Sequence, residues 1–153
     1  MEKPLGQPQV SPKATGILLF LLLLNILNMV DRTLITSFGT AIITDLGLSD
    51  SQFGLLTGPI FVFFYSIMGL FMGALADRVH RPRLIAAGLV LWSALTAVSG
   101  LAKNFAQISI ARLFIGVGES AMAPSAISMI SDLIPKARRG TATGIYYLGV
   151  PLG

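Results

Sequence analysis

Long apolar stretches constrain the fold of this chain more than any other feature of its sequence. Four of them, at residues 15–38, 52–76, 84–102 and 105–131, reach or nearly reach the length of about 20 residues that a membrane-spanning helix needs. A fifth begins near residue 140 and holds about 14 residues, or about 21 Å of helix, against about 30 Å of hydrocarbon core. The pattern predicts an all-α membrane protein with four complete transmembrane helices and the start of a fifth. We interpret the chain as a fragment of a longer membrane protein.

The composition supports a lipid bilayer as the main partner and excludes several classes of site. Apolar residues make up 54% of the chain and charged residues only 12%, against about 25% charged residues in soluble domains. The chain has no cysteine and one histidine, His80, so disulfides, thiolate catalysis and Cys- or His-cluster metal sites are excluded. Basic residues form no patch suited to nucleic acid. We expect no enzyme activity, no metal and no cofactor.

The first fourteen residues differ from the rest of the chain. They carry Pro4, Pro8 and Pro12 among polar residues, a composition typical of disordered segments. We therefore predict a disordered tail at residues 1–14 and a truncated transmembrane bundle at residues 15–153.

The positions of the basic residues predict the orientation of the bundle. If the helices alternate in direction, one side of the membrane holds Lys3, Lys13, Arg78, Arg81, Arg83, Lys136, Arg138 and Arg139. The connections on the other side hold only Lys103. Because Lys and Arg concentrate in cytoplasmic connections, this asymmetry predicts a cytoplasmic N-terminus in a multi-pass protein. The asymmetry in Lys and Arg suits a protein of a bacterial inner membrane.

Four charged residues lie inside the apolar stretches: Asp31, Arg32, Arg112 and Glu119. Each costs roughly 2.5–3.5 kcal/mol at the centre of a spanning helix, so they must face one another or water. In the first helix, a sector of about 140° collects the polar side chains. Its members are Asn25, Asn28, Asp31, Arg32 and Thr36.

In the fourth helix, Arg112 and Glu119 are seven residues apart and share one face, about 10.5 Å apart along the axis. Gly116 lies between them on that face and allows close approach to the backbone. Two interpretations remain open. In the first, the charges are structural ion pairs that lock the first helix to the fourth. In the second, they line an aqueous cavity in which Asp31 or Glu119 binds and releases a proton.

Several motifs together resemble the N-terminal half of a transporter of the major facilitator superfamily, in its Spinster-like branch. They are NMVDR at 28–32, LGLSDSQFGLLTG at 46–58, GALADRVHRPRLI at 73–85, and the run from ARLFIGVGESAMAP to GIYYLGVPLG at 111–153. Organic-anion:proton symporters of the same superfamily share the helix 1 Asp-Arg pair and the helix 4 Arg and Glu.

The resemblance implies twelve helices in two six-helix bundles around a central cavity, with alternating access. The C-terminal half of the same protein would then be a partner of this chain. Asp31 and Glu119 match the protonation positions of the family, Arg32 and Arg112 match their basic partners, and Asn28 lies in the helix 1 signature. A cytoplasmic gate motif, defined here as Gly73, Asp77, Arg78, Arg81 and Asp132, also matches.

From these features we expect a secondary transporter that couples protons to movement of an amphiphilic organic molecule, such as a lysolipid or a lipid-like anion, in the direction of export. The chain alone would be inactive. One alternative is a symporter that takes up a small sugar acid with protons. Another is a truncated membrane protein that does not transport.

Overall fold

The computed structural model of the protein describes residues 10–153, which contain helices and turns and no strand. The elements are α1 (Pro12–Ser37), α2 (Gly39–Leu46), α3 (Asp50–Thr57), α4 (Pro59–Ala76), α5 (Arg81–Ser99), α6 (Phe105–Ser120), α7 (Met122–Leu133), a 3₁₀ turn (Lys136–Arg138), α8 (Arg139–Tyr147) and α9 (Gly149–Leu152). The predicted all-α class is confirmed.

Within this part of the chain, four helical segments are long and apolar enough to cross a membrane: Pro12–Ser37, Asp50–Ala76, Arg81–Ser99 and Phe105–Leu133. Large apolar side chains point outward from them, among them Leu70, Phe71 and Val90, which are 78%, 64% and 68% exposed. An apolar surface of this kind requires lipid or further protein to cover it. The fourth span is the most central, with 56% of its most apolar window buried, against 11% in the second.

The first helix begins at Pro12, three residues before the predicted start of the bundle at residue 15. Ser11 caps the helix, since its side-chain oxygen accepts a hydrogen bond from the Ala14 N–H at 3.2 Å. Pro12 then occupies the first helical position, where its missing N–H costs nothing. Residues 12–14 of the predicted tail therefore belong to α1 in the structure. Residues 1–9 of the predicted tail lie outside the described residues.

Two of the spans contain a break near a proline. The second span is interrupted at Gly58, and α4 starts with Pro59 at its first position. The fourth span is interrupted at Ala121, and Pro124 is the third residue of α7. Because proline cannot donate a backbone hydrogen bond, each break lies within one turn before the ring.

The connection at residues 39–51 contains a helix that the apolar pattern did not indicate. This helix, α2, ends at Gly47, whose φ of 60° is the left-handed conformation that favours glycine. Ser49 then starts α3 through a capping box with Gln52. The first and second spans are thus joined by a short helical segment with defined ends.

Close helix contacts depend on glycine in two places. A Cβ atom added at Gly88 would lie 2.6 Å from the carbonyl oxygen of Gly118, so α5 and α6 touch backbone to backbone. At Gly149, an added Cβ would lie 2.8 Å from Cβ of Asn25, which places α9 directly against α1. These contacts bring the polar face of α1 and the face of α6 that carries Arg112 and Glu119 into the same interior.

Candidate functional site

A buried ion pair joins α1 to α6. The Arg32 Nε donates to Oε2 of Glu119 at 2.7 Å. The Glu119 side chain is fully buried and that of Arg32 is 24% exposed. Glu119 lies just before the break at Ala121. Gly116 and Gly118 on the same stretch of α6 allow close contact with α4 and α5, and this closeness buries Glu119. The structure therefore brings together one acid and one base that the sequence placed in the interior.

Asp31 faces a different neighbour from Arg32. Its Oδ2 accepts a hydrogen bond from the Thr96 hydroxyl of α5 at 3.3 Å. It lines a cavity of about 280 Å³ between α1, α2, α5 and α6. Arg112 lines the same cavity, together with Asp45, Thr96, Ser99 and apolar residues such as Ile108 and Ile115. The two carboxylates therefore lie in separate surroundings, Asp31 in a cavity and Glu119 in packed protein.

Several buried polar atoms around these charges have no hydrogen-bond partner among residues 10–153. They are Nδ2 of Asn28, Nη2 of Arg32, Nε of Arg112 and Oε1 of Glu119. Asn28 and Arg112 are only 3% and 5% exposed. Buried polar groups are normally paired, so three donors and one acceptor in this interior are available for further partners. We call Asp31, Arg32, Arg112 and Glu119 the interior charge cluster.

Not all of the predicted polar face of α1 joins this cluster. Asn25 lies nearer the N-terminus of α1. Its Nδ2 donates a hydrogen bond to the carbonyl oxygen of Tyr146 at 2.8 Å, which connects α1 to α8. Thr36 is exposed, and its hydroxyl donates to the Thr33 carbonyl of its own helix. The polar face is therefore divided. Asp31 and Arg32 belong to the cluster and Asn28 lies one turn before them, whereas Asn25 and Thr36 make structural contacts.

Two aromatic rings on α4 complete the surroundings of the arginines. Cζ of Arg32 lies 5.0 Å from the ring centre of Phe61 and 4.3 Å from that of Tyr65. Cζ of Arg112 lies 4.7 Å from the ring centre of Phe61. Neither ring is among the site residues predicted from the sequence. Their four-residue spacing on a helix, which puts both on one face, is the signal that could have indicated them.

The gate motif is only partly assembled by side-chain contacts. Arg81 forms an ion pair through Nη1 with Oδ2 of Asp132, and its Nε donates to the Ala76 carbonyl at 3.3 Å. This links the turn between α4 and α5 to the end of α7. Asp77 and Arg78 are exposed. Within the described range, Asp77 makes no side-chain hydrogen bond or ion pair with the other members.

Gly73 lies on α4 opposite α7. A Cβ atom added there would be 4.0 Å from Cβ of Pro124, an ordinary van der Waals distance.

The described residues contain no group of three or more His, Asp or Glu side chains able to hold a metal ion.

Comparison with known families and proteins gives consistent matches. Residues 21–153 match the model of the family described as Major Facilitator Superfamily. Protein spinster of Drosophila melanogaster is 31% identical over 84% of this chain and 21% of its own length. A probable L-galactonate transporter of Escherichia coli is 30% identical over 91% of this chain and 30% of its own length.

A solved structure gives a closer match. It is the crystal structure of a bacterial homolog to the human lysosomal transporter Spinster, in an inward-facing and unoccupied conformation. Its sequence is 40% identical to this chain and its TM-score is 0.89, over 94% of this chain and 30% of that one. The first two curated relatives are matched over only 21% and 33% of their own length.

Proposed function

Because the chain belongs to the major facilitator superfamily, we propose that it provides N-terminal helices of a proton-coupled secondary transporter for an amphiphilic organic molecule. The relatives are transporters and not enzymes, and the resemblance to the Spinster branch that the motifs predict is confirmed. Proton coupling, the substrate and the direction of transport are the parts that we propose.

The observation that carries the proposal is the buried pair of Arg32 and Glu119 beside unpartnered polar atoms. Removing two charges from water is costly, and a static buried pair is stable only if its remaining donors and acceptors are satisfied. Here Oε1 of Glu119 and Nη2 of Arg32 have no partner among the described residues. Each member of the pair therefore has a further polar atom able to bond, and we propose that the pair exchanges partners and is not a permanent lock between α1 and α6.

A proton supplies a simple means of changing partners. When the Glu119 carboxylate binds a proton, its attraction to the Arg32 guanidinium falls, and α1 can move relative to α6. Charged residues within spanning helices often lie on proton or substrate pathways. Asp31 is the second candidate for this role, because it lines a cavity with Arg112. Variants of each carboxylate test the two residues separately.

The amphiphilic substrate is proposed from the relatives. Protein spinster and the bacterial Spinster homolog are similar to this chain, and so is the sphingosine-1-phosphate transporter SPNS2 of Danio rerio, at 30% identity over 92% of this chain. We propose lysolipids or lipid-like anions, moved outward. The cavity between this chain and the second half of the protein would hold them.

A second candidate is uptake of a sugar acid with protons. The matching Escherichia coli protein is a probable L-galactonate transporter, and a hexuronate transporter of Bacillus subtilis is 29% identical over 90% of this chain. Guanidinium groups bind carboxylates well because of their paired N–H donors. The unpartnered nitrogens of Arg32 and Arg112 are therefore compatible with such a substrate.

We further propose that the N-terminus is cytoplasmic and that the protein resides in a bacterial inner membrane. The support is the asymmetric distribution of Lys and Arg between the two sides of the bundle. In this orientation the ion pair between Arg81 and Asp132 lies on the cytoplasmic side. We propose that the gate motif controls opening of the cavity to that side.

The test is transport by the complete gene product in proteoliposomes, with labelled lysolipids and sugar acids, each measured with and without an imposed pH gradient. We expect gradient-dependent export of a lysolipid, and loss of the gradient dependence when Glu119 is replaced by Gln. Asp50→Asn is the matched control, because Asp50 is an exposed acid at the start of α3. Gradient-driven sugar-acid uptake would select the second candidate. No flux of either class would refute transport by this protein.

A further inference from the structure

The Phe61 ring lies next to both arginines of the interior charge cluster. Its centre is 5.0 Å from Cζ of Arg32 and 4.7 Å from Cζ of Arg112. Both distances are within the range of about 6 Å over which a cation is attracted to an aromatic face. Phe61 itself is 5% exposed. A single buried ring therefore contacts two cations that come from different helices.

The charge balance of the site explains why such a ring is needed. Arg32 uses Oε2 of Glu119, whereas Nε of Arg112 is buried without a partner in residues 10–153. The two cations repel each other. The carboxylates of Glu119 and Asp31 attract Arg112, but neither accepts a hydrogen bond from its Nε. The negatively polarised face of an aromatic ring stabilises a cation without adding a charge, and its effect is strongest where water is excluded.

Neighbouring residues hold the ring in this position. Tyr65 stacks on Phe61 with ring centres 5.7 Å apart and an interplanar angle of 22°, and it also contacts Arg32 at 4.3 Å. On the other side, a Cβ atom added at Gly116 would lie 3.5 Å from Cδ2 and Cε2 of Phe61. The ring therefore rests on the backbone of α6 between Arg112 and Glu119.

We propose that Phe61 is a positioning residue for proton coupling, whose aromatic face keeps Arg32 against Glu119 and holds Arg112 beside them. A guanidinium that leaves a carboxylate retains the attraction of the ring, so the partners can exchange without exposing a bare buried cation. The inference rests on the proposed function, since it concerns the same cluster. It assigns the role to the electrons of the ring and not to its volume.

The electrons can be tested separately from the volume. Phe61 of the complete gene product is replaced by phenylalanine analogues that carry one, two or three fluorine atoms, which weaken the negative face with little change in shape. We expect gradient-driven flux to fall stepwise, by about 3- to 30-fold at three fluorines, which corresponds to loss of one cation–π contact. Phe61→Leu, which removes the ring, should reduce flux at least as much as three fluorines do. Phe61→Tyr, which keeps an aromatic face, should retain most of the flux.

The matched control is Phe63, which lies two positions further along α4, is 61% exposed and has Phe64 as its aromatic neighbour. The same fluorinated analogues at Phe63 should leave flux unchanged. Equal flux for all analogues at Phe61, in a protein whose flux depends on the pH gradient, would overturn the inference alone. Absence of gradient-driven flux in the unsubstituted protein would overturn the proposed function, and the role of Phe61 with it.

Discussion

Arg32 and Glu119 are 87 positions apart in the chain, and Nε of the first lies 2.7 Å from Oε2 of the second. The acid next to Arg32 in the sequence, Asp31, bonds instead to Thr96 of α5. Adjacent residues on a helix point about 100° apart, so an Asp-Arg dipeptide reaches two different helices. The two opposite charges of α1 therefore serve two separate contacts.

The first prediction concerns the two carboxylates. In the complete protein, Glu119→Gln or Asp31→Asn should reduce pH-gradient-driven flux to the background level, because an amide cannot exchange a proton at this position. Gln can still accept the hydrogen bond from Arg32, so membrane insertion and yield should be unchanged. The measurement is initial flux at a fixed gradient. Unchanged flux in both variants would refute proton coupling through this cluster.

The second prediction concerns the coupling of Arg32 to Glu119 in stability. Arg32→Met and Glu119→Leu each leave one buried charge without its partner, at a cost of about 3–5 kcal/mol when a buried pair is broken. The double variant leaves neither charge and should lose much less than the sum. Unfolding of the complete protein in detergent, as a double-mutant cycle, measures this. Additive losses would show that the two side chains do not interact energetically.

The third prediction concerns the contact between α5 and α6. Gly88→Ala should destabilise the bundle by about 1–3 kcal/mol, a typical cost of overpacking, because the new Cβ would be 2.6 Å from the Gly118 carbonyl oxygen. Gly69→Ala on α4 is the control, since a Cβ there meets nothing within 4 Å. Alanine favours helix by up to about 1 kcal/mol over glycine, so the control should be neutral or stabilising. Equal unfolding temperatures for the two variants would contradict the close contact.

The fourth prediction concerns the gate motif. The Arg81 and Asp132 side chains are 27% and 60% exposed, and exposed pairs contribute about 0–1 kcal/mol. Asp132→Asn should therefore leave stability nearly unchanged while it alters the rate of conformational exchange, and Asp77→Asn should slow or bias the same exchange. Single-molecule measurements of the distance across the side of the bundle that carries Arg81 and Asp132 give the exchange rate. Substrate binding is measured in parallel. A large loss of affinity with normal exchange rates would assign these residues to binding.

Much of the fold could be predicted from the sequence because membrane insertion depends on local properties. The length and hydropathy of a segment determine whether it spans, and this predicted four spans whose ends lie near those observed. The two breaks within the spans lie beside Pro59 and Pro124, which are local features of the sequence as well. The helix α2 was missed because its eight residues are too few for a membrane span and its ends depend on the cap at Gly47 and on packing.

The candidate site could be predicted only in part. The cost of a charge in an apolar segment identified Asp31, Arg32, Arg112 and Glu119 from the sequence alone. It did not identify Phe61, because phenylalanine is common in spanning helices, where it faces lipid. Whether it faces lipid or the interior depends on the rotation of the helix. Nor did it show that Arg112 would share a cavity with Asp31.

By itself, the sequence determined which segments enter the membrane and that four charged side chains must avoid lipid, because both follow from the transfer energies of single residues and short windows. Only the tertiary structure decided which base meets which acid, and which ring lies beside them. Those pairings depend on the rotation and separation of helices far apart in the chain, which the glycine contacts of α5, α6 and α9 set at close range.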